Sequence, residues 1–331
     1  MNNFLVVGFC GSMGKRRIRC LKRLGVENIY GFDISSNSKE VAEKLEINYI
    51  NSIDKFSGSA VIISTPPDHH LEYIKAFLSK GLNVFCEAAV IPEDRHFYSN
   101  IKNISAKNGV LFFPSATIKF KESIEYIKKV LESEKIGKVL SYDYRFAQNL
   151  RTWHPYQDIK DFYVSVPETG AGREMAAFEL SWLTWLFGCD CNILGSTVNK
   201  RSEISKETKI NDLYSFLIEH ENNNGCVGNV SIDVYSHKPY RYLRITGALG
   251  NIEYDWIANE VKTYNSNGKL VNIYSEKDTD VEKGYTSFST EKMYVNEVKD
   301  FINSFKNSHI ARCNIDDDYK ILTLVEKIET L

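Results

Sequence analysis

Over the first 115 residues, short apolar runs alternate with longer amphipathic stretches. Short apolar runs bounded by turn residues read as buried strands, and apolar positions spaced by three and four read as helices. The pattern predicts strands at Phe4–Phe9, Asn28–Phe32, Ala60–Ser64, Leu82–Cys86 and Val110–Phe113. Helices fall between them at Lys15–Leu24, Ser38–Leu45, Leu71–Lys80 and Pro92–Lys107. Gly25 and Gly81 stand where a left-handed backbone ends a helix. Strands joined through helices of this length lie parallel, with helices on both faces of the sheet.

The rhythm changes after residue 116. A helix at Lys119–Glu134 leads to a strand at Lys138–Phe146, a loop rich in aromatics and charges, and a helix at Arg173–Phe187. Consecutive strands follow at Asn192–Asn199, Leu213–Glu221, Cys226–Tyr235, Tyr240–Thr246, Asn251–Tyr254 and Glu260–Tyr264, then a helix at Glu291–Phe305. Asp316, Asp317 and Asp318 suit the acidic first turn of a last helix. The reading is an α/β chain in two domains: 1–116, a doubly wound parallel sheet, and 117–331, an α+β domain with a large open mixed or antiparallel sheet.

Composition narrows the function classes. The chain has 331 residues, 43% apolar and 25% charged, as a globular protein does. Its net charge of -2 gives no field for nucleic acid or an anionic membrane. No apolar run approaches a membrane span, and no basic segment opens a secretion signal. The seven cysteines are odd in number and read as free thiols of a cytoplasmic protein. Cys189 and Cys191 are the one close pair, without the further ligands a metal needs, so no metal is expected.

The chemistry starts at Gly8, Gly11 and Gly14, between the first strand and the first helix. There, glycines let backbone N–H groups and the helix N-terminus meet a pyrophosphate. Phe9 stands where the usual spacing has its first glycine. Asp33 ends the second strand 19 residues after Gly14, placed for a ribose 2′-hydroxyl and against a 2′-phosphate. NAD rather than NADP is therefore expected, with Gly8, Gly11, Ser12, Met13, Gly14 and Asp33 as its contacts. Ser64, Thr65, Pro66 and His70, after the third main strand, and Glu87, after the next, complete the cofactor side. Lys15, Arg16 and Arg17 follow the glycines, and at least two of them are expected on a solvated helix face.

Together these segments resemble the glucose–fructose oxidoreductase / inositol dehydrogenase / MocA family of NAD(P)-dependent enzymes. Further matches are Gly81 to Glu87, Gly137 to Val139, Trp153 to Pro155, Arg244 to Glu253 and Met293 to Glu297. The resemblance implies a Rossmann domain, a second domain whose open sheet often meets another subunit, and a sugar-like substrate over the nicotinamide. It further implies a polyol or nucleotide-sugar chemistry of the surface-glycan type. The strands from Asn192 to Tyr264 leave few helices to cover the sheet's far face, so a homo-oligomer, dimer or tetramer, is expected through it.

The chain departs from that family at its proton-transfer residues. The family's lysine position is Ala88, and the histidine position four residues after the acid Glu174 is Phe178. His154 has a suitable ordinary pKa and lies in the aromatic loop that borders the substrate in relatives. Glu174 and Glu179 are acids on a largely apolar helix, with Arg173 beside them. These four are the expected catalytic set, with Tyr156 and Lys119 behind them. Lys119 also reads as a surface lysine, and Arg173 as the partner of one of the glutamates. Three functions remain open: an NAD-linked sugar oxidoreductase, an NAD-assisted elimination or hydrolysis on a sugar, and a cofactor-binding protein without catalysis.

Overall fold

The computed structural model describes residues 3–88, 96–153, 158–161, 163–221, 225–276, 290–307 and 309–331, with the side chain of Glu168 left aside. The chain groups into two compact units, Met1–Thr117 with Glu291–Tyr319, and Ile118–Thr290 with Lys320–Leu331. The first unit thus takes in a second stretch of chain beyond a boundary drawn after residue 116.

Among the described residues, six strands form the first unit's sheet: β1 (Phe4–Val7), β2 (Ile29–Phe32), β3 (Asn48–Tyr49), β4 (Ala60–Ile63), β5 (Asn83–Cys86) and β6 (Phe112–Pro114). They run parallel in the order β3-β2-β1-β4-β5-β6. Helices α1 (Ser12–Arg23), α2 (Ser38–Lys44), α3 (His70–Ser79) and α4 (Phe97–Asn108) connect them. Burial on both faces explains why β1 and β4 are continuous apolar runs without alternation. Val7 pairs with Phe32 and Ile63, Ile63 with Cys86, and Cys86 with Pro114. The strands therefore end level, and Gly8, Asp33, Ser64, Glu87 and Ser115 all leave from one sheet edge. Strand order reverses at β1/β4, the switch point where open α/β sheets bind ligands.

Helix α8 (Glu291–Lys306) belongs to this unit. Its Phe301 ring sits 5.7 Å from Phe85 and 5.6 Å from Phe113, edge to face. Two-residue β3 is too short for a periodic signal and was not expected. The expected helix from Lys119 is a 3-10 turn, Thr117–Phe120, followed by α5 (Glu122–Glu132). α4 is described from Phe97, and the Pro92 start lies outside the described residues.

The second unit holds β7 (Val139–Ala147), α6 (Ala171–Phe187), β8 (Cys191–Asn199), α7 (Glu203–Thr208), β9 (Leu213–His220), β10 (Cys226–Asp233), β11 (Tyr240–Gly247), β12 (Gly250–Asp255), β13 (Glu260–Asn265) and β14 (Leu270–Ser275). The sheet order is β14-β13-β12-β11-β7-β10-β9-β8, antiparallel except at β7/β10. Edge strand β14 was not expected: its residues are mostly exposed, so the period-two signal is lost. The unit boundary falls within α9 (Ile315–Thr330).

The two faces of this sheet differ. In register across it, Val261, Tyr254, Leu243, Tyr144, Val230 and Phe216 form a wholly buried apolar row. The next row, on the opposite face, reads Lys262, Glu253, Arg244 and Asp143. Arg244 and Asp143 are exposed and the other two partly so. The open face thus carries charges of alternating sign at its centre.

Candidate active site

In the first unit, Gly8 turns the chain out of β1 with φ at 79°, and a Cβ there would lie 2.6 Å from the Ser64 carbonyl oxygen. Only glycine takes this turn without strain. A Cβ on Gly14 would lie 2.3 Å from the Gly8 carbonyl oxygen, so the third glycine lets α1 start against the loop. Phe9 does not replace the first glycine. Gly8 takes the left-handed turn, and the Phe9 side chain is buried beside Gly31. Gly11 caps α1 with no side-chain hydrogen bond, leaving first-turn N–H groups for an anion.

Asp33 reaches this loop. Its carboxylate accepts from Cys10 N at 2.9 Å and from Ser35 N at 2.9 Å. Burial, then Asp33, push the Cys10 thiol up to about 11, so it adds no negative charge to the loop. In the β4 loop, Thr65 Oγ1 is buried and has no hydrogen-bond partner among the described residues. His70 is fully buried, and its Nε2 donates to the Thr65 carbonyl at 2.8 Å. His70, expected as a cofactor contact, thus holds the loop after β4 through its backbone. A glycine cradle, an uncapped helix start, an acid bonded to the glycine loop and an orphaned hydroxyl fit a dinucleotide.

Glu87, expected as a cofactor contact, is engaged within the protein. Arg17 is buried and grips it twice, Nε at 2.5 Å and Nη2 at 2.8 Å. Arg17 Nη1 lies 2.9 Å from Glu297 of α8. Glu297 accepts from Ser115 Oγ at 3.0 Å, Ala116 N at 2.7 Å and Thr117 Oγ1 at 2.8 Å. Burial holds its carboxyl above the ordinary range, against the pull of Arg17. Arg16 is also buried and bonds Glu291 at 2.8 Å. The expectation of two solvated residues in this basic run is thus corrected, because carboxylates from β5 and α8 converge on it.

In the second unit, Glu174 occupies the first turn of α6. Its Oε1 accepts from Tyr163 at 3.0 Å, while Oε2 is buried with no partner among the described residues. Burial raises its carboxyl to about 7, and the Tyr163 hydrogen bond offsets part of the rise. Trp153 Nε1 is likewise buried without a partner among the described residues.

Glu179 is held in the core of the unit. It lies about 140° round the helix from Glu174 and is fully buried. It accepts from Tyr144 at 2.5 Å, Trp182 Nε1 at 2.7 Å and Arg241 Nη2 at 2.5 Å. Arg173 pairs with Glu329 of α9 at 3.1 Å, rather than with either glutamate of its own helix. Lys119 is buried, not a surface residue. Phe178, in the histidine's place, is partly exposed, and Ala88 follows Glu87. His154 and Tyr156 lie outside the described residues. No group of three or more His, Cys, Asp or Glu could hold a metal ion among the described residues.

Sequence reasoning missed Arg17, Glu297 and Tyr163. For the first two, the signal was a basic run with no acid nearby in sequence. For Tyr163, it was an aromatic loop eleven residues before an acid.

No helix among the described residues is long and apolar enough to cross a membrane. Residues 2–111 match the oxidoreductase family with an NAD-binding Rossmann fold, and residues 124–253 match the GFO/IDH/MocA C-terminal domain. The chain is 23% identical over 260 residues to a 2,7-anhydro-N-acetylneuraminate hydratase of Mediterraneibacter gnavus, covering 76% of this chain and 67% of that protein. An oxidoreductase of Agrobacterium radiobacter, solved with NAD+, L-tartaric acid and magnesium, superposes with a TM-score of 0.83 at 15% identity, covering 99% of this chain and 95% of that one. The myo-inositol 2-dehydrogenase of Lactobacillus plantarum does so at 0.80 and 18%, covering 99% and 96%. The UDP-N-acetylglucosamine 3-dehydrogenase of Acidithiobacillus ferrooxidans gives 0.76 and 15%, covering 99% and 96%. With both of its domains matched in order, the chain belongs to the Gfo/Idh/MocA family of NAD-binding oxidoreductases.

Proposed function

We propose that the protein is an NAD(H)-dependent oxidoreductase acting on a hydroxyl of a sugar, polyol or nucleotide sugar. The observation that carries this reading is Asp33 bonded to the glycine loop, where its carboxylate would bind a ribose beside glycines that would cradle a pyrophosphate. Gly8, Gly11, Ser12, Met13, Gly14, Asp33, Ser64, Thr65 and Pro66 would hold the cofactor. His70 and Glu87 keep their loops in shape. When bound, NAD supplies the hydride acceptor. The solved neighbours named for inositol and UDP-sugar dehydrogenases support the substrate class. Free cysteines throughout agree with the cytoplasm as its place of action.

A second reading has one specific support, the hydratase relative. There, transient oxidation would activate a sugar for elimination or water addition, with no net reduction of NAD. Incubation with NAD and myo-inositol, UDP-N-acetylglucosamine or 2,7-anhydro-N-acetylneuraminate separates the two. NADH accumulating in step with product supports the oxidoreductase. Product without NADH supports the second reading. NAD should bind more tightly than NADP, because a carboxylate repels a 2′-phosphate.

The open sheet face is the proposed dimer interface. A two-fold axis along the strands, between β11 and β12, would set Glu253 against Arg244 and Lys262 against Asp143 of the second copy. The same axis would set Glu260 against Arg145. Alternating charge makes this face self-complementary under that one operation, as an isologous interface requires.

A further inference from the structure

Of the buried side-chain carboxylate oxygens among the described residues, two have no hydrogen-bond partner: Oε2 of Glu174 and Oε2 of Glu291. Glu291 is compensated through its other oxygen, which takes Arg16 at 2.8 Å and Arg19 at 3.3 Å. Glu174 has no ion pair among the described residues. Its one bond is from Tyr163, a neutral donor. The buried acids Glu179 and Glu276 of its unit are each paired with a cation. Glu179 has Arg241, Tyr144 and Trp182, and Glu276 has Lys121 at 2.7 Å and Ser123 Oγ at 2.6 Å.

The charged and titratable groups on the elements against this helix are committed elsewhere. Arg173 and Tyr214 bond Glu329, at 3.1 and 2.8 Å. Asp212 accepts from Arg201 N and Ser202 N, and Asp233 pairs with Arg145. His220 of β9 bonds the Gly188 carbonyl and Tyr142. Asp158, Lys160 and Asp161, in the preceding segment, are exposed. Among the described residues, Tyr163 is the one hydrogen-bond partner of the carboxyl group. Leaving a buried acceptor unmet is costly, and such groups gather where a ligand or a reaction supplies the missing partner.

We propose that Glu174 is the proton-transfer residue of this enzyme, taking the work of the absent lysine and histidine, with Tyr163 as its positioning residue. The inference rests on the oxidoreductase reading above. In the oxidation direction, the substrate O–H bond breaks and its proton forms an O–H bond at Oε2 of Glu174. The freed oxygen pair closes the C=O bond as the C–H pair leaves as hydride to bound NAD+. Reduction is the reverse, with the proton returned from the protonated acid. A raised carboxyl suits both directions near neutrality, and the Tyr163 hydroxyl holds Oε1 so that Oε2 is presented.

The test uses the full chain with NAD and, as probes, myo-inositol, UDP-N-acetylglucosamine and 2,7-anhydro-N-acetylneuraminate. With whichever probe the unaltered protein oxidises, Glu174→Gln should lower kcat by at least about 100-fold. Its NAD affinity should stay within about twofold, the mark of a group that acts in the reaction and not in cofactor binding. It should melt no lower than the parent at pH 8, because it removes an unpaired buried carboxylate. Tyr163→Phe should keep measurable turnover and move the pH midpoint of kcat/KM upward, since it deletes the one bond that favours the ionised acid. Near-normal turnover in Glu174→Gln overturns the proposal alone and passes the role to His154. An unmoved midpoint in Tyr163→Phe overturns the positioning role. If Glu174→Gln does not fold, Glu174→Asp replaces it, and full activity at an unchanged pH midpoint overturns the proposal. If the unaltered protein binds NAD and oxidises none of the probes, the oxidoreductase reading falls and the proposal with it.

Discussion

Glu87, just past the end of β5, and Glu174, in the first turn of α6, are both acids in segments that resemble a family motif, one in each unit, and their surroundings differ. Glu87 meets a fixed guanidinium with both oxygens, at 2.5 and 2.8 Å, and its work is to tie β5 to α1. Glu174 meets one phenol with one oxygen and leaves the other unpaired among the described residues. A carboxylate whose acceptor sites are filled by a buried arginine is a clamp. One that keeps an oxygen free in a desolvated place holds a proton near neutrality and is fit for acid–base chemistry. Motif position marks Glu87 as a cofactor contact and Glu174 as a catalytic residue. The hydrogen-bond inventory separates them.

The sharpest way to break the comparison is to turn the clamp into an unpaired site. Arg17→Met leaves Glu87 and Glu297 buried beside each other without their cation. Removing one partner of a buried ion pair typically costs about 3–5 kcal/mol, and urea unfolding at pH 7 should show a loss of that order. The sign with pH follows from the acids. Burial already raises the Glu297 carboxyl, so acidification protonates it first, and the deficit should shrink as pH falls toward 5. A deficit below about 1 kcal/mol, at the level of an exposed pair, would mean that the network is not what joins α8 to β5.

A smaller effect is expected on the open sheet face. In the proposed dimer, Arg244→Glu would put an acid against Glu253 of the second copy twice. The dimer Kd should rise at least about tenfold, as close like charges weaken association, and adding Glu253→Arg should restore part of it. Sedimentation at micromolar concentration reads this directly. An unchanged dimer would place the interface elsewhere.

The cofactor half was legible because its signals are local. Three glycines, a flanking strand and helix, and an acid at the next strand end lie within about thirty residues, the span of one βαβ unit. Tertiary structure changed the meaning of the long-range residues. Arg17 reads as one of three basic residues, at least two of them solvated, until Glu87 and Glu297 arrive, 70 and 280 positions away. Glu179 reads as a neighbour of Glu174, but five residues turn it to the buried face, against Arg241. Tyr163 sat in an aromatic loop among several ionisable residues, and only the fold selects it as the donor to Glu174. Edge strand β14 escaped because its exposed residues carry no alternation.

The central claim, that an incompletely paired carboxyl in the second unit carries the proton, is tested most directly by the pH dependence of kcat/KM for substrate oxidation. Glu174 must be ionised to accept the proton, and burial has raised its carboxyl to about 7. The rate should therefore fall as pH drops through about 7, and reduction of the matching ketone should fall as pH rises through the same region. Both limbs should vanish in Glu174→Gln, leaving a low, flat rate. A rate for the unaltered protein that stays level from pH 5 to pH 9, or a limb near 7 that persists in Glu174→Gln, would contradict the account.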